Sequence, residues 1–182
     1  MGKVRLYFQG MSEIVGSTEM GLIVLVDNPA MRQLTIVCDK PMEYQIGLRL
    51  SKAPITSKLL PEALWQMLQM TGSHRYELMI NDVTDGVYRA LLVNNDTLDV
   101  VSLRASDAVL LALFSGIPLY ADDILMRNQS VPFTEKATGM AIPVNALSMD
   151  MLEKALEKAV SEENYELASH LRDELNRRKK TE

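Results

Sequence analysis

The chain has 182 residues and a formal net charge of −5, so it is long enough for one hydrophobic core with an appendage. Acidic residues dilute its lysines and arginines, which argues against strong nonspecific binding to duplex DNA through many phosphate contacts. The single cysteine, Cys38, excludes an internal disulfide framework and fits a reducing cytoplasm, and no apolar run reaches the ~18 residues that cross a bilayer.

The first ten residues resemble a vector-derived expression tag, because the segment Leu6–Gly10 matches the end of a protease-cleavable linker. Met11 is then the expected natural start. Removing Lys3 and Arg5 with this segment takes the net charge from −5 to −7. We therefore expect residues 1–10 to lie outside the fold and residues 11–134 to form the main domain.

Residues 11–134 predict strands and helices in two similar halves. The first half predicts strands at 13–18, 21–27 and 32–39 and helices at 41–51 and 59–70. The second half predicts strands at 76–83, 87–93 and 97–103, followed by one apolar helix. We expect an α+β fold in which two related three-strand-plus-helix halves are fused in one domain.

The apolar helix of the second half is the element around which we expect the domain to pack. Ser106 is its expected N-cap, Asp107 carries negative charge where the helix dipole favours it, and Gly116 ends it. The residues from Ala108 to Phe114 are apolar on nearly every side. Because a helix that is hydrophobic all round is buried, this one is expected in the core.

An internal repeat favours the two-half interpretation. The segment Leu34–Val37 lies 64 positions before Leu98–Val101, and Ser51 lies 64 positions before Ser115. Neither half alone has enough apolar surface to fold by itself, so the two copies are expected to share one core. Chance similarity between two strand-rich halves is the alternative.

The last 48 residues change composition twice. Residues 135–148 lose periodicity and gain Gly and Pro, which indicates a linker. Residues 149–182 contain neither Gly nor Pro, and their apolar spacing predicts two helices interrupted at 161–164, with Ser148 as the N-cap of the first. A helical hairpin of this length is marginal alone, so we expect it to bind a partner surface.

Several catalytic chemistries are excluded by residue type. Only two histidines are present, His74 and His170, and each is solitary, which argues against zinc hydrolase and Ser/His/Asp machinery. No lysine has an acidic residue two positions upstream, so the widespread nuclease core with that spacing is also excluded. A nuclease without histidine would use clustered carboxylates and divalent metal ions.

The remaining polar candidates each have two interpretations. Asp82 and Asp107 are candidate metal ligands, although most aspartates of the chain fit turns and helix caps equally well. Arg104 and Asp107 are the only polar pair attached to the apolar helix. They would form either a structural ion pair or a site in which Arg104 is offered to a phosphate at the helix N-terminus.

The segment Arg104–Ala108, with the apolar helix and Ile117–Tyr120 behind it, resembles the Asp-Ala-Arg-Pro-Ser-Asp-Ala signature of the bifunctional nuclease (BFN) domain. The resemblance spans about 13–127 and implies a role in cleaving DNA or RNA. Three polar positions of the family depart here, because its leading Asp is Ser102 and its His-Asp is Ser57-Lys58, and its Pro is also replaced, by Ala105. The resemblance therefore supports the family's fold more strongly than it supports nuclease activity.

The C-terminal segment resembles the UVR motif, the helical hairpin named for the excision-repair proteins UvrB and UvrC, through its Tyr-Glu-x-Ala and Leu-Arg-Asp elements. Such hairpins pair with another hairpin or dock on a protein, so the resemblance implies a protein partner or self-association into a homo-oligomer. The partner-binding residues it implies are Tyr165, Ala168, Leu171, Arg172 and Leu175.

Two functions follow as hypotheses for a cytoplasmic protein of bacterial type. The first is metal-assisted cleavage of nucleic acid, with Asp107 and Asp82 holding Mg²⁺ or Mn²⁺ and Arg104 binding phosphate. Thr56 and Ser106 would join Arg104 in binding the substrate. The second is a noncatalytic adaptor or regulatory module that binds a small ligand or protein and docks through its hairpin.

Overall fold

The computed structural model describes residues 2–13, 20–72, 75–133, 147, 149–161 and 163–179. Within these residues, an eight-stranded mixed sheet with four helices forms the main domain, and two further helices follow as a hairpin. The strands are β1 (Lys3–Glu13), β2 (Met20–Val26), β3 (Arg32–Asp39), β4 (Tyr76–Thr84), β5 (Val87–Asn94), β6 (Val100–Arg104), β7 (Leu119–Asp122) and β8 (Val131–Pro132). The helices are α1 (Lys40–Leu50), α2 (Leu60–Met70), α3 (Ala105–Ser115), α4 (Asp123–Gln129), α5 (Met149–Ser161) and α6 (Tyr165–Lys179), with a 3₁₀ helix at Pro54–Lys58.

The sheet has the order β6-β5-β4-β7-β1-β2-β3-β8. Strands β1, β2 and β3 form one antiparallel meander and β4, β5 and β6 form another, and each meander leads directly into an eleven-residue helix, α1 or α3. Strand β7 lies between the two meanders, parallel to β4 and antiparallel to β1. The expected α+β class with two related halves and a terminal hairpin is therefore confirmed.

Strand β1 corrects the expectation that residues 1–10 lie outside the fold. Its residues Lys3–Glu13 pair with β7 on one side and with β2 on the other, at the centre of the sheet. Inward residues alternate with exposed ones along its first half, and Leu6 is only 3% exposed. The segment that resembles a tag therefore has the period-two pattern of a half-buried strand and joins the two halves of the domain.

The sheet curves strongly around α3. Arg104, at the end of β6, contacts Asp39, at the end of β3, with Nη1 and Oδ2 separated by 3.3 Å. Five strands lie between β6 and β3, so a flat sheet would hold them six spacings, or about 29 Å, apart. The contact requires the sheet to wrap around the helix, and α3 contacts β3, β4, β5, β6 and β7 as well as α1 and α2.

Helix α3 is the core element that its sequence predicts, with two differences. Arg104 rather than Ser106 occupies the N-cap position, no side chain caps the helix, and Ser106 is buried in the first turn. Gly116 ends the helix with φ of 75°, as expected. The first half of the helix is mostly buried, whereas the residues Leu111–Phe114 are only partly buried, and Leu111 and Phe114 line a groove against α2.

The repeat is present, but its offset in the helices is 65 residues rather than 64. Asp39 and Arg104 occupy the N-cap positions of α1 and α3, and Ser51 and Gly116 occupy the C-cap positions. An alignment of β3 with β6 at an offset of 64 would match inward-facing residues of one strand with outward-facing residues of the other, because side chains along a strand alternate with period two. The structure therefore makes Asp39 the counterpart of Arg104.

A buried ion pair joins the three helices on this side of the domain. Arg49 Nη2 of α1 lies 2.8 Å from Glu62 Oε2 of α2, with side chains only 5% and 11% exposed. The guanidinium also donates to Gln45 Oε1 and lies 5.6 Å from the centroid of the Phe114 ring of α3. Because removing one member of a buried pair leaves an uncompensated charge, this contact fixes how the helices pack.

The hairpin has a small core of its own, separate from that of the domain. Residues on facing sides of α5 and α6 are buried against one another: Leu152, Ala159, Ala168, Leu171 and Leu175.

The predicted strand beyond Glu13, the linker 135–148 except Leu147, the Ser148 cap and His74 lie outside the described residues.

Substituting Leu6 by alanine tests the place of β1 in the domain. We expect the free energy of unfolding to fall by about 2–5 kcal/mol, because the change removes a fully buried side chain from a central strand. The control is Tyr7→Ala, since Tyr7 is 43% exposed on the same strand. Urea unfolding followed by Trp65 fluorescence gives both values, and equal small losses would show that β1 is dispensable.

Candidate functional site

Arg104 lies at the junction of β6 and α3 and binds two carboxylates. Its Nε donates to Asp107 Oδ2 at 2.6 Å and its Nη2 donates to Asp107 Oδ1 at 3.2 Å, which is a two-point contact. Its Nη1 donates to Asp39 Oδ2 at 3.3 Å. The hydrogen bond that Arg104 donates to Asp107 is the main cause that raises the pKa of Arg104, with Asp39 adding to it. The side chain is nevertheless 60% exposed, so the guanidinium is held in place at the surface.

Asp39 brings the N-terminus of a second helix to the same point. Its Oδ1 accepts the backbone N–H of Met42 at 2.8 Å and so caps α1, while its Oδ2 accepts from Arg104. Asp107 lies in the first turn of α3. Each helix N-terminus thus has a carboxylate where the dipole favours negative charge, and Arg104 joins the two.

A cavity of about 190 Å³ opens beside this cluster. Its walls come from the ends of β2 and β3, the turn before β5, the start of α3 and one residue of α5. Its polar lining residues are Arg104, Asp39, Ser106, Cys38 and Tyr88, and Met151 of the hairpin also lines it. The cavity therefore lies where the two halves of the domain and the terminal hairpin approach one another.

The two other ionisable groups of the cavity are poor nucleophiles. Burial, with a smaller contribution from the neighbouring carboxylates Glu43 and Asp39, raises the pKa of the Cys38 thiol to about 11. Burial also raises the pKa of Tyr88, whose hydroxyl lies 3.5 Å from Gln129 Oε1. Since the thiolate is the reactive form of cysteine, Cys38 stays an inert thiol at neutral pH. The chemistry of the cavity therefore depends on the cluster of Arg104, Asp39 and Asp107.

The structure separates the other predicted site residues. Asp82 lines a cavity of about 540 Å³ with Asp122 and Gln129, whereas Arg104 lines the cavity of about 190 Å³ and Asp107 lines a groove of about 360 Å³. Thr56 lies in the 3₁₀ helix, where its hydroxyl donates to the carbonyl of Ala53. Asp82 and Thr56 thus play no part in the arrangement around Arg104, whereas Ser106 lines the same cavity.

Asp39 is the site residue that sequence reasoning missed. The signal for it is the repeat, because an offset of 65 aligns Asp39 with Arg104 at the N-caps of the two equivalent helices. The sequence shows the same offset between Gly21 and Gly86, but the helix starts are needed to show that it applies to α1 and α3.

The donor set around Arg104 does not fit a resident metal ion. All four carboxylate oxygens of Asp39 and Asp107 already accept N–H bonds, from Met42 and from Arg104. Within the described residues, no group of three acidic, histidine or cysteine side chains is close enough to hold a metal. Asp82 and Asp107, the predicted metal ligands, line separate cavities.

Only some of the predicted partner-binding residues are exposed in the folded hairpin. Ala168, Leu171 and Leu175 are buried against α5 and close the hairpin, so they do not face a partner while it is folded. Tyr165 is 68% exposed at the start of α6, and Arg172 is also exposed. Val160 and Leu167 add exposed apolar surface near the turn between the helices.

A carboxylate and two arginines stabilise the end of α6. Arg178, only 5% exposed, donates to Glu174 Oε1 at 2.8 Å and to the carbonyl of Leu147 at 2.6 Å. Arg177 also donates to Glu174, at 2.6 and 2.8 Å. The hydrogen bond from Arg177 is the main cause that lowers the pKa of Glu174 to about 2, and Arg178 adds to it. The hairpin therefore depends on a charged Glu174.

The fold and site define an α+β domain of two fused halves with a charged cleft between them and a helical hairpin after it. A comparison with known families matches residues 23–134 to the bifunctional nuclease domain and residues 150–180 to the UvrB/uvrC motif. The first match covers more than half of the chain, and the chain belongs to the bifunctional nuclease domain family. Both resemblances in the sequence are thereby confirmed.

The other comparisons add one negative result: no curated protein matches the chain significantly. Among the helices within the described residues, none has the length and apolar character to span a membrane.

The pH dependence of the hairpin follows from Glu174. Because folding lowers its pKa from 4.5 to about 2, its contribution to stability is full above pH 4.5 and is lost as pH falls toward 2. We expect Glu174→Gln to destabilise α5 and α6 at pH 7. The difference in stability between this variant and the wild type should disappear as the pH falls from 4.5 to about 2. The measurement is thermal unfolding followed by NMR signals of the hairpin. Asp173→Asn, at an exposed neighbour, is the control, and an equal effect of both changes would contradict the assignment.

Proposed function

We propose that the domain hydrolyses phosphodiester bonds of nucleic acid at the cleft formed by Arg104, Asp39 and Asp107. One observation carries the proposal: an exposed guanidinium is held by two carboxylates where the N-termini of α1 and α3 meet. Helix N-termini and arginine are the groups that bind phosphate most often in proteins. Membership of the bifunctional nuclease domain family supports the choice of substrate class.

The proposed chemistry assigns one role to each side chain. Three N–H groups of Arg104 bind the carboxylates, and the other two are available to a phosphate oxygen. A water molecule attacks the phosphorus while Asp107 or Asp39 accepts its proton, and the P–O bond to the leaving sugar oxygen breaks as that oxygen takes a proton from solvent water. Arg104 stabilises the negative charge that develops on the phosphoryl oxygens. Ser106, on the wall of the same cavity, is the second substrate-binding candidate.

Magnesium or manganese enters this proposal as an ion that accompanies the nucleic acid. The carboxylates around Arg104 do not suit a resident ion, whereas Mg²⁺ commonly binds through substrate phosphates with one or two carboxylates and water. The expected dependence on divalent metal is therefore a dependence on metal bound together with substrate.

The hairpin is proposed to recruit a protein partner, and a role in DNA repair is the context that its motif favours. Tyr165, Val160 and Leu167 are its exposed apolar residues, and Arg172 is exposed on α6. We place the protein in the cytoplasm, where its one buried cysteine stays reduced.

A second candidate function is a noncatalytic adaptor that binds a phosphorylated ligand or a protein. The specific observation in its favour is that Asp39 and Asp107 already accept hydrogen bonds from Arg104, so these carboxylate oxygens are occupied. The departures at Ser102 and Ser57-Lys58 from the family's polar positions favour it as well.

A cleavage assay with matched variants separates the two candidates. Purified protein is incubated with single- and double-stranded DNA and RNA in Mg²⁺, Mn²⁺ or EDTA. We expect Arg104→Ala and Asp107→Ala to lose about 100-fold in rate, because each removes a group that acts on the transition state. Arg75→Ala is the matched control, since Arg75 forms a similar exposed pair with Asp96 at 2.7 Å, outside the cleft.

The outcomes are distinct. Cutting at the same rate by all variants indicates a contaminating nuclease or another site and contradicts the assignment. Absence of cutting by the wild type under every metal condition favours the adaptor, and fluorescence anisotropy with labelled oligonucleotides then tests whether Arg104 still contributes to binding.

A further inference from the structure

Strand β6 forms an open edge of the sheet. It pairs with β5 on one side, and among the described residues no strand pairs with it on the other. The equivalent strand of the first half, β3, pairs with β8 instead. An edge strand presents free backbone N–H and C=O groups, which form a template for another strand.

The side chains around this edge are apolar and exposed. Residues of α2 and of the β6 region share this character, at 52–86% exposure: Leu60, Leu64, Met67, Met70, Leu98, Val100 and Val101. Native edge strands are commonly protected by charged side chains or proline, and Val100 and Val101 are neither. Because exposing this much apolar surface to water is unfavourable, we expect a partner to cover it.

A groove connects the helix to the strand. It has a volume of about 360 Å³ and is lined by apolar side chains, among them Leu64 of α2 and Leu103 of β6. Among the described residues, its one charged lining residue is Asp107, so the groove adjoins the cluster around Arg104. Leu111 and Phe114 of α3 form part of its wall, which is why that half of the helix is only partly buried.

The exposed area matches what a stable dimer needs. From their exposed fractions, the seven residues present about 800 Å², which equals the ~800 Å² that each partner buries in a protein interface of standard size. Isolated patches on monomers are usually smaller than this.

The edge is also complementary to itself. An antiparallel pair of β6 strands around a two-fold axis brings the Asp99 end of one strand to the Arg104 end of the other. It places Ser102, the middle residue of the strand, opposite its own copy. Val101 of one copy then lies beside Leu103 of the other, on the face that bears the groove.

We propose that two copies of this chain associate through β6 and α2, so that the two sheets join edge to edge and each groove receives apolar side chains of the other copy. The interface is distinct from the hairpin and leaves Tyr165 and Arg172 available to a different partner. It does not depend on whether the cleft at Arg104 hydrolyses nucleic acid.

Sedimentation velocity on the full-length chain tests the interface. We expect the wild type to have twice the mass of one chain at micromolar concentration, and Leu64→Glu and Val101→Glu to weaken association at least tenfold. Met31→Glu is the control, because Met31 is 67% exposed but lies outside the surface, and this variant should remain dimeric. A monomeric wild type overturns the proposal, and so does a dimer that survives both changes, which would indicate association through the hairpin.

A cysteine placed on the edge tests the pairing itself. We expect Ser102→Cys to form a disulfide-linked dimer under mild oxidation, because residue 102 faces its own copy across the axis. The native Cys38 is buried and does not compete. Thr84→Cys, at an exposed position at the end of β4, should stay uncrosslinked. A dimer in which residue 102 fails to crosslink would overturn the edge-to-edge arrangement.

Discussion

The structure depends on the burial of α3. Its first half carries small and apolar residues on every side, such as Ala105, Ala108 and Val109, so it needs neighbours all around it. A flat sheet covers only one side of a helix. The two meanders therefore curve around α3 until the end of β3 approaches the end of β6, and the ion pair of Asp39 and Arg104 joins them there.

This closure places the candidate site. Because β3 and β6 lead into α1 and α3, bringing the strand ends together also brings two helix N-termini together. The same position of the repeat is Asp39 in one half and Arg104 in the other, which gives opposite charges at the point of contact. The halves differ equally at their outer edges, since β3 is followed by β8 whereas β6 is open and apolar. Equivalent positions of the two related halves thus have different roles.

The sequence predicts most elements but not how they assemble. Period-two and helical spacing identify β2 to β6 and α1 to α3 because these patterns are local. The insertion of β7 between the meanders is not local, and neither is the meeting of Asp39 with Arg104 across five strands. Strand β1 was missed because Leu6–Gly10 resembles a cleavage sequence, although the alternation of Val4, Leu6 and Phe8 with exposed residues has the signature of a strand. Among site residues, Arg104 and Asp107 lie three residues apart in sequence and are predictable as a pair. Grouping Asp82 with them needs information about distances in space, which the sequence does not contain.

The central claim is that α3 is enclosed, and native-state hydrogen exchange measures this directly. If the sheet wraps around the helix, the interior amides of α3 exchange only through global unfolding, with the same opening free energy as denaturant unfolding gives. The amides of α2, whose outer face carries exposed Leu64 and Met67, should exchange at lower opening free energy. Exchange of α3 as fast as that of α2, while the strands stay protected, would show that the helix lies on the surface of the sheet.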